Sequence, residues 1–409
     1  MSNKITYLCD GNFYLHKTLS VCGAFDEQHP MFLKDDSPEK MEKDKNYLIH
    51  KLTMDFCSDI RKAAVLIDEV IITMDDYSWR NDFFEDKAYQ YATVAEEKKQ
   101  TDEEIVGEAI DYKGHRVKEK SFNWSLVYQT FEEFLVDMRN IGGIKWARMN
   151  GCEGDDIIFA VATHYIARGK SVMIYSGDND LKQLISFNPI NNSFVIHFKK
   201  TEKKIVMSND TAKWLMNNES LIKSKLTTFA HENEVELLAE NAFDIIFTKI
   251  LTGDKGDNVM PSIQEMRTYK SGAKKGQDKL EKIGKRVIDK VKVEIDYKRY
   301  NFLDFFNEDF LNTLTNSVLR NFKPISHFNP ENIKNNIKIN RDLMFLHKNC
   351  IPHSIYETML DWIEQNEKEM DLKIREMYSY KSVLERNPHY THKEEAKTTS
   401  ANIFKQLGL

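Results

Sequence analysis

The sequence contains no run of 18 or more apolar residues, so it offers no membrane span. Met1 to Tyr7 lacks the apolar core of a secretion signal. Cysteine is scarce: Cys9, Cys22, Cys57, Cys152 and Cys350 are odd in number and scattered, with no Cys-x-x-Cys pair. That pattern is expected of reduced thiols in a cytosolic compartment. There is no internal repeat and no low-complexity tract. Net positive charge is lacking too. A balance of −6 argues against indiscriminate nucleic-acid binding by the whole surface, though not against a local basic patch. What is present suffices for a sizeable core: 409 residues, 41% hydrophobic and 11% aromatic, too long for a typical single domain without appendages.

The most informative stretch runs from Gly151 to Leu181. Gly151-Cys152-Glu153-Gly154-Asp155-Asp156 opens a helical run, Ile157 to Arg168, and a strand-like Ser171 to Tyr175 follows. The stretch closes on Ser176-Gly177-Asp178-Asn179-Asp180-Leu181. Five carboxylates thus bracket one helix–strand unit. If the strand lies parallel to its predecessor, both clusters fall at strand carboxyl ends, where open α/β sheets place ligands. Carboxylates so close raise one another's pKa, and a divalent cation removes that cost. Oxygen ligands without His or Cys point to Mg²⁺ or Mn²⁺ rather than Zn²⁺. The plainer reading, in which Asp155 or Asp156 only caps the helix, competes with this for either cluster alone.

Other strand-like runs also end in acid. Ile5 to Cys9 leads to Asp10-Gly11-Asn12 and a helix from Phe13 to Leu19. Val70 to Met74 ends in Asp75-Asp76, followed by Trp79, Arg80 and Lys87. Gly23 to Lys45 reads as a polar loop and Tyr47 to Leu66 as an amphipathic core helix. Lys87 to Phe122, highly charged, reads as a solvated segment or a gate over the acids. Ser125 to Ile141 is a helix and Ile144 to Arg148 a strand. Phe194 to Phe198 reads as an edge strand, and Val235 to Glu240 and Ala242 to Leu251 as helical. Gly253-Asp254-Lys255-Gly256-Asp257-Asn258 is a turn. From Arg267 to Lys292, ten Lys/Arg face three Asp/Glu, and within that stretch Gly284-Lys285-Arg286 opens a helix suited to a phosphate. Phe302 to Leu319 and Ser354 to Glu367 are helical. Leu372 to Ser400 is polar. The chain closes on an apolar tip with Ile403, Phe404 and Leu407, which either docks a partner or packs on its own domain.

Together these motifs resemble the flap endonuclease (5′→3′ exonuclease) family, in the phage branch that includes T-even phage ribonuclease H. The resemblance covers roughly residues 5 to 290 and rests on Asp10-Gly11-Asn12, on Asp75 with Trp79-Arg80 and Lys87, on Glu153-Gly154-Asp155-Asp156, on Ser176 to Leu181 and on Gly253 to Asn258. It implies an α/β fold: a PIN-like central, mostly parallel sheet flanked by helices, with a helical arch and a helix–turn–helix duplex-binding C-terminal subdomain. Residues 1–250 would form the nuclease core, with the arch at about 81–124. Residues 251–390 would form the helical subdomain, its duplex grip at about 251–295, and 391–409 the tail. Two or more Mg²⁺, replaceable by Mn²⁺, are implied. Asp10, Asp75, Glu153 and Asp155 would hold the first, and Asp178, Asp180, Asp254 and Asp257 the second, with Asp156 in support. Arg80 and Lys87 would face the scissile phosphate. Lys274, Lys275, Lys282, Gly284, Lys285 and Arg286 would grip the duplex. The family's glycine-rich turn after the Asp-Asn pair is expanded here, between Ser262 and Gly284.

The expected reaction is phosphodiester hydrolysis by two metals, leaving a 5′-phosphate, on flaps or RNA primers of phage replication. Expected partners are branched or nicked DNA and RNA–DNA hybrid, with a single-strand-binding protein or sliding clamp on the tail. The protein would act as a monomer in the cytoplasm, the host bacterium's if phage-encoded. Two rival readings are a non-catalytic DNA-junction binder of the same fold and a PIN-class nuclease acting on RNA transcripts.

Overall fold

The computed structural model describes residues 5–26, 30–85, 113, 121–257, 259–268, 278–322, 329–367 and 372–385. Its centre is an eight-stranded sheet. The strands are β1 (Ile5–Asp10), β2 (Ile67–Met74), β3 (Lys145–Arg148), β4 (Ser171–Tyr175), β5 (Ser186–Asn188), β6 (Ser193–Lys199), β7 (Lys204–Ser208) and β8 (Glu236–Glu240). Their order is β3-β2-β1-β4-β6-β7-β8, with β5 beside β6. The β3–β2, β2–β1, β1–β4, β4–β6 and β7–β8 pairs are parallel, and β6 meets β5 and β7 antiparallel. This is the mostly parallel α/β sheet that the sequence led us to expect.

Both faces of the sheet are covered, which suits its apolar strands. Side chains alternate along each strand. Tyr7 and Cys9 of β1 and Met173 and Tyr175 of β4 enter one core, with helices Gly11–Val21, Pro38–Ala63 and Trp124–Gly142. Leu8, Val172 and Ile174 enter the other, with helices Gly154–Ala167 and His353–Asn366. A third core joins helices Ala242–Thr252, Lys285–Glu294, Glu308–Asn321 and Pro330–Met344. Gly11 lets the first helix leave β1 at once: a Cβ there would lie 2.5 Å from the Thr73 carbonyl oxygen. Among the described residues, no helix is long and apolar enough to cross a membrane. All five cysteines are unpaired.

Four expectations need correction. Glu236–Glu240 is a strand, not a helix: parallel pairing with β7 overrides the helical preference of Glu, Leu and Ala. The Phe194 to Phe198 run lies inside the sheet rather than on its edge, and every residue of β6 is buried. The supposed polar loop after Gly23 already turns helical at Pro38, where Ser37 accepts the amide of Lys40. The polar C-terminal segment contains helix Ile374–Glu385, whose Met377 is fully buried against the first core. Nearly all of the expected arch, including Lys87, lies outside the described residues, as do Lys274, Lys275 and the C-terminal tip. A two-stranded hairpin, β9 (Gln264–Thr268) with β10 (Asp278–Lys282), occupies part of the basic segment before Gly284.

Candidate metal centre

Strand order reverses between β1 and β4, so a crevice opens at their carboxyl ends. Asp10 ends β1. One of its oxygens caps the following helix by accepting the Phe13 amide at 2.9 Å, and the other accepts the Ser176 hydroxyl at 2.7 Å. Asp75 follows β2. It accepts the amide of Gly154 at 2.6 Å and the Asn12 side-chain amide at 2.5 Å. Glu153 caps helix Gly154–Ala167, and its own amide donates to Asp156 at 3.1 Å. Asp155 is on the first turn of that helix. Asp178 follows β4, with its amide on the Ser176 hydroxyl at 3.0 Å.

These acids crowd one another. Burial, opposed by hydrogen bonds and reinforced by Asp75 and Asp178, pushes the Asp10 carboxyl up to about 6. Burial and then the charges of Asp178, Asp10, Asp75 and Glu153 push Asp155 well above the carboxylate range. Burial and Glu153 raise Asp75 as well. The charge of Asp178 thus acts on both Asp155 and Asp10.

The second cluster is smaller. Carboxylate oxygens of Asp180, Asp254 and Asp257 lie within 4.8 Å of one another. Asp254 sits on a turn clasped by Asp254–Val259 backbone bonds in both directions, at 2.9 and 2.8 Å. Gly253 enters that turn at φ +67°, and a Cβ there would lie 2.4 Å from the Val259 carbonyl oxygen. Lys249 bridges Asp180 and Asp254, at 2.6 Å from the latter. Burial pushes the Asp254 carboxyl up, but Lys249 and the turn amides hold it below its ordinary value. An all-oxygen donor set of this density fits hard divalent cations.

Two cations depart from the sequence reading. Arg80 is buried beneath the acids, one terminal nitrogen 3.3 Å from Glu153. It is 2% exposed and grips Asp156 at 2.8 and 2.7 Å, with its Nε on the Leu343 carbonyl at 2.8 Å. Asp156 is fully buried beneath it, and so supports Glu153 from below rather than facing the crevice. Lys113, which sequence reasoning missed, reaches the acids as well. Its ammonium is 2.5 Å from Glu153, and its amide donates to the Asp257 carbonyl at 3.1 Å, so it touches both clusters. Lys249 was missed as well, although its place one turn before Gly253 was a usable signal. Gly284 caps helix Lys285–Glu294, with Lys285 and Arg286 exposed beside an open hollow of about 790 Å³.

The raised acids make a pH prediction. Between about pH 4 and pH 6 the folded state keeps protons that the unfolded chain has released. Metal-free stability should therefore fall as pH rises through that window. Melting curves in EDTA should show a lower Tm at pH 7 than at pH 5, and Mg²⁺ should raise Tm more at pH 7.5 than at pH 5. Equal Mg²⁺ shifts at both pH values would contradict the assignment.

The sheet and its acidic crevice define the class as an α/β protein with a mostly parallel sheet and acids at its carboxyl edge. Residues 77–215 match the family model of the 5′-3′ exonuclease N-terminal resolvase-like domain. The matched stretch is about a third of this chain. Solved structures of bacteriophage T5 proteins are similar to it. One is the flap endonuclease in a pseudo-enzyme–product complex with DNA and metal ions, with 12% identity, TM-score 0.44, and 90% of this chain and 100% of that one covered. Another is the 5′-exonuclease with bound zinc, with 13% identity, TM-score 0.43, and 88% and 99% covered. No curated protein matches the chain.

Proposed function

We propose that this chain is a divalent-metal-dependent 5′ nuclease that removes 5′ flaps or RNA primers during phage DNA replication. The observation that carries this reading is the gathering of Asp10, Asp75, Glu153, Asp155 and Asp178 at the β1–β4 crevice, beside Asp180, Asp254 and Asp257. Mg²⁺, or Mn²⁺ in its place, would supply an acidified water and neutralise charge on the phosphoryl and leaving oxygens. The first five acids would hold one ion and the last three the other. Asp156 holds Glu153 in its capping geometry. Lys113, with Lys87, adds positive charge where the phosphoryl group becomes more negative. Water adds to phosphorus and the bond to the 3′ oxygen breaks. The products are a 5′-phosphate and a 3′-hydroxyl, the water's proton balancing the leaving oxygen.

Lys274, Lys275, Lys282, Gly284, Lys285 and Arg286 contact duplex backbone, flaps, nicks and RNA–DNA hybrids being the substrates. Exposed lysines at a glycine-capped helix start support that role. Ile403, Phe404 and Leu407 dock a single-strand-binding protein or sliding clamp, and the protein acts as a monomer in the host cytoplasm.

The test is cleavage of a 5′-labelled flap and of an RNA-primed duplex, with Mg²⁺ and with EDTA. Cutting near the junction only with Mg²⁺ is expected, and the two rates rank the substrates. Binding without cutting would favour the junction-binding role. Preference for plain single-stranded RNA would favour a transcript nuclease.

A further inference from the structure

Helix Pro330–Met344 lies outside the stretch matched by the family model and carries none of the acids. Its end nevertheless hydrogen-bonds to residues beside three of the segments that do. Asn340 is fully buried, and its side-chain amide donates to the carbonyls of Ile250 at 2.8 Å and Met260 at 2.9 Å. Those two residues flank the turn that bears Asp254 and Asp257. One turn earlier, Asn336 donates to the Ser262 carbonyl at 3.3 Å, and Ser262 in turn bonds the Leu251 carbonyl through both its amide and its hydroxyl.

The helix end supplies the other two ties. The last carbonyls of a helix have no partner within it. Here the Leu343 carbonyl accepts Arg80, the residue that holds both Asp156 and Glu153. The Met344 carbonyl accepts the side chain of Gln183 at 3.2 Å, and Gln183 accepts the Leu346 amide at 2.9 Å. Gln183 lies on the short turn Asp180–Leu184, three residues past Asp180. Three acidic segments, far apart in sequence, are thus hydrogen-bonded to about seven consecutive residues at one helix end, from Asn340 to Leu346.

We infer that the end of helix Pro330–Met344 is a positioning element that fixes the second acidic cluster relative to the first, with Asn340 and Gln183 as its positioning residues. The inference rests on the two-ion reading above. Packing alone would not require this chemistry. A buried apolar side chain could fill the place of Asn340, whereas a buried amide is costly unless its hydrogen bonds are made. Here those bonds join the two ends of one acidic turn. Centres built for two ions tolerate displacements of only about 0.5 Å.

The experiment is Mn²⁺ titration of the full chain, with electron paramagnetic resonance counting bound ions and reading the magnetic coupling between them. Melting is followed in parallel. The wild type is expected to bind two coupled ions. Asn340→Ala and Gln183→Met should keep the tighter ion, weaken the other by about 10–100-fold and lose the coupling. If Asn340→Ala does not fold, Gln183→Met decides alone. Two coupled ions at wild-type affinity in the folded variants, even with a lowered Tm, would overturn the inference and leave the helix as packing. A wild type that binds no Mn²⁺ would overturn the two-ion reading itself, and this inference with it.

Discussion

Asp155→Asn is expected to lower Mg²⁺-dependent flap cleavage by about 10²–10³-fold, the scale on which single charge-stabilising groups act in such sites. In EDTA at neutral pH it should also raise Tm. The two effects have one origin. Asp155 is half-buried beside Asp178, Asp10, Asp75 and Glu153, so its charge in the folded protein is opposed by desolvation and by like charges. Asparagine keeps the shape and removes that repulsion. It also removes a ligand oxygen from the set that would hold an ion, so the rise in Tm that Mg²⁺ gives the wild type should shrink. Single-turnover cleavage and melting with and without Mg²⁺ measure both quantities. A rate within tenfold of wild type would remove Asp155 from the centre. A lower Tm in EDTA would show that the crowded carboxylates do not repel one another as their geometry requires.

Much of this centre was legible because each acid follows an apolar run. Period and punctuation delimit Ser171–Tyr175, and a carboxylate just beyond such a strand has to lie at the sheet's carboxyl end. Sequence order does not say which way a carboxylate turns. Asp178 and Asp180 are two residues apart, yet the charge of the first acts on Asp155 and Asp10 while the second joins Asp254 and Asp257. Distant partners were equally hidden. Nothing near Arg80 in sequence announces the Leu343 carbonyl that receives its Nε. Nothing in Glu236–Glu240 outweighs its helix-forming residues except the neighbouring strand β7, which only the fold brings alongside. Met377 sits in a polar segment, and its burial depends on the groove between helices Pro38–Ala63 and Trp124–Gly142. The local signals located the acids, and long-range hydrogen bonds decided what supports them.

Arg80→Ala separates those two kinds of information and is expected to cost about 3–5 kcal/mol of stability, the usual penalty for stripping one partner from a buried ion pair. The guanidinium is 2% exposed, its two terminal nitrogens hold a carboxylate with no exposure at all, and it lies over the Trp79 ring at 4.6 Å. Its removal leaves the buried Asp156 with the Trp79 indole N–H, at 3.3 Å, and the Glu153 amide as donors, and no cation. Denaturant unfolding of the metal-free protein gives the cost. The double variant Arg80→Met with Asp156→Leu should recover much of it, because a matched apolar pair pays no charge desolvation. An arginine facing the scissile phosphate would behave in the opposite way, with unchanged stability, weaker cleavage and no rescue by the second substitution. The double variant should stay slow at cleavage even when its stability returns, since Glu153 has then lost the carboxylate that its amide caps. Stability restored without activity is the result expected of a residue that supports the centre from beneath.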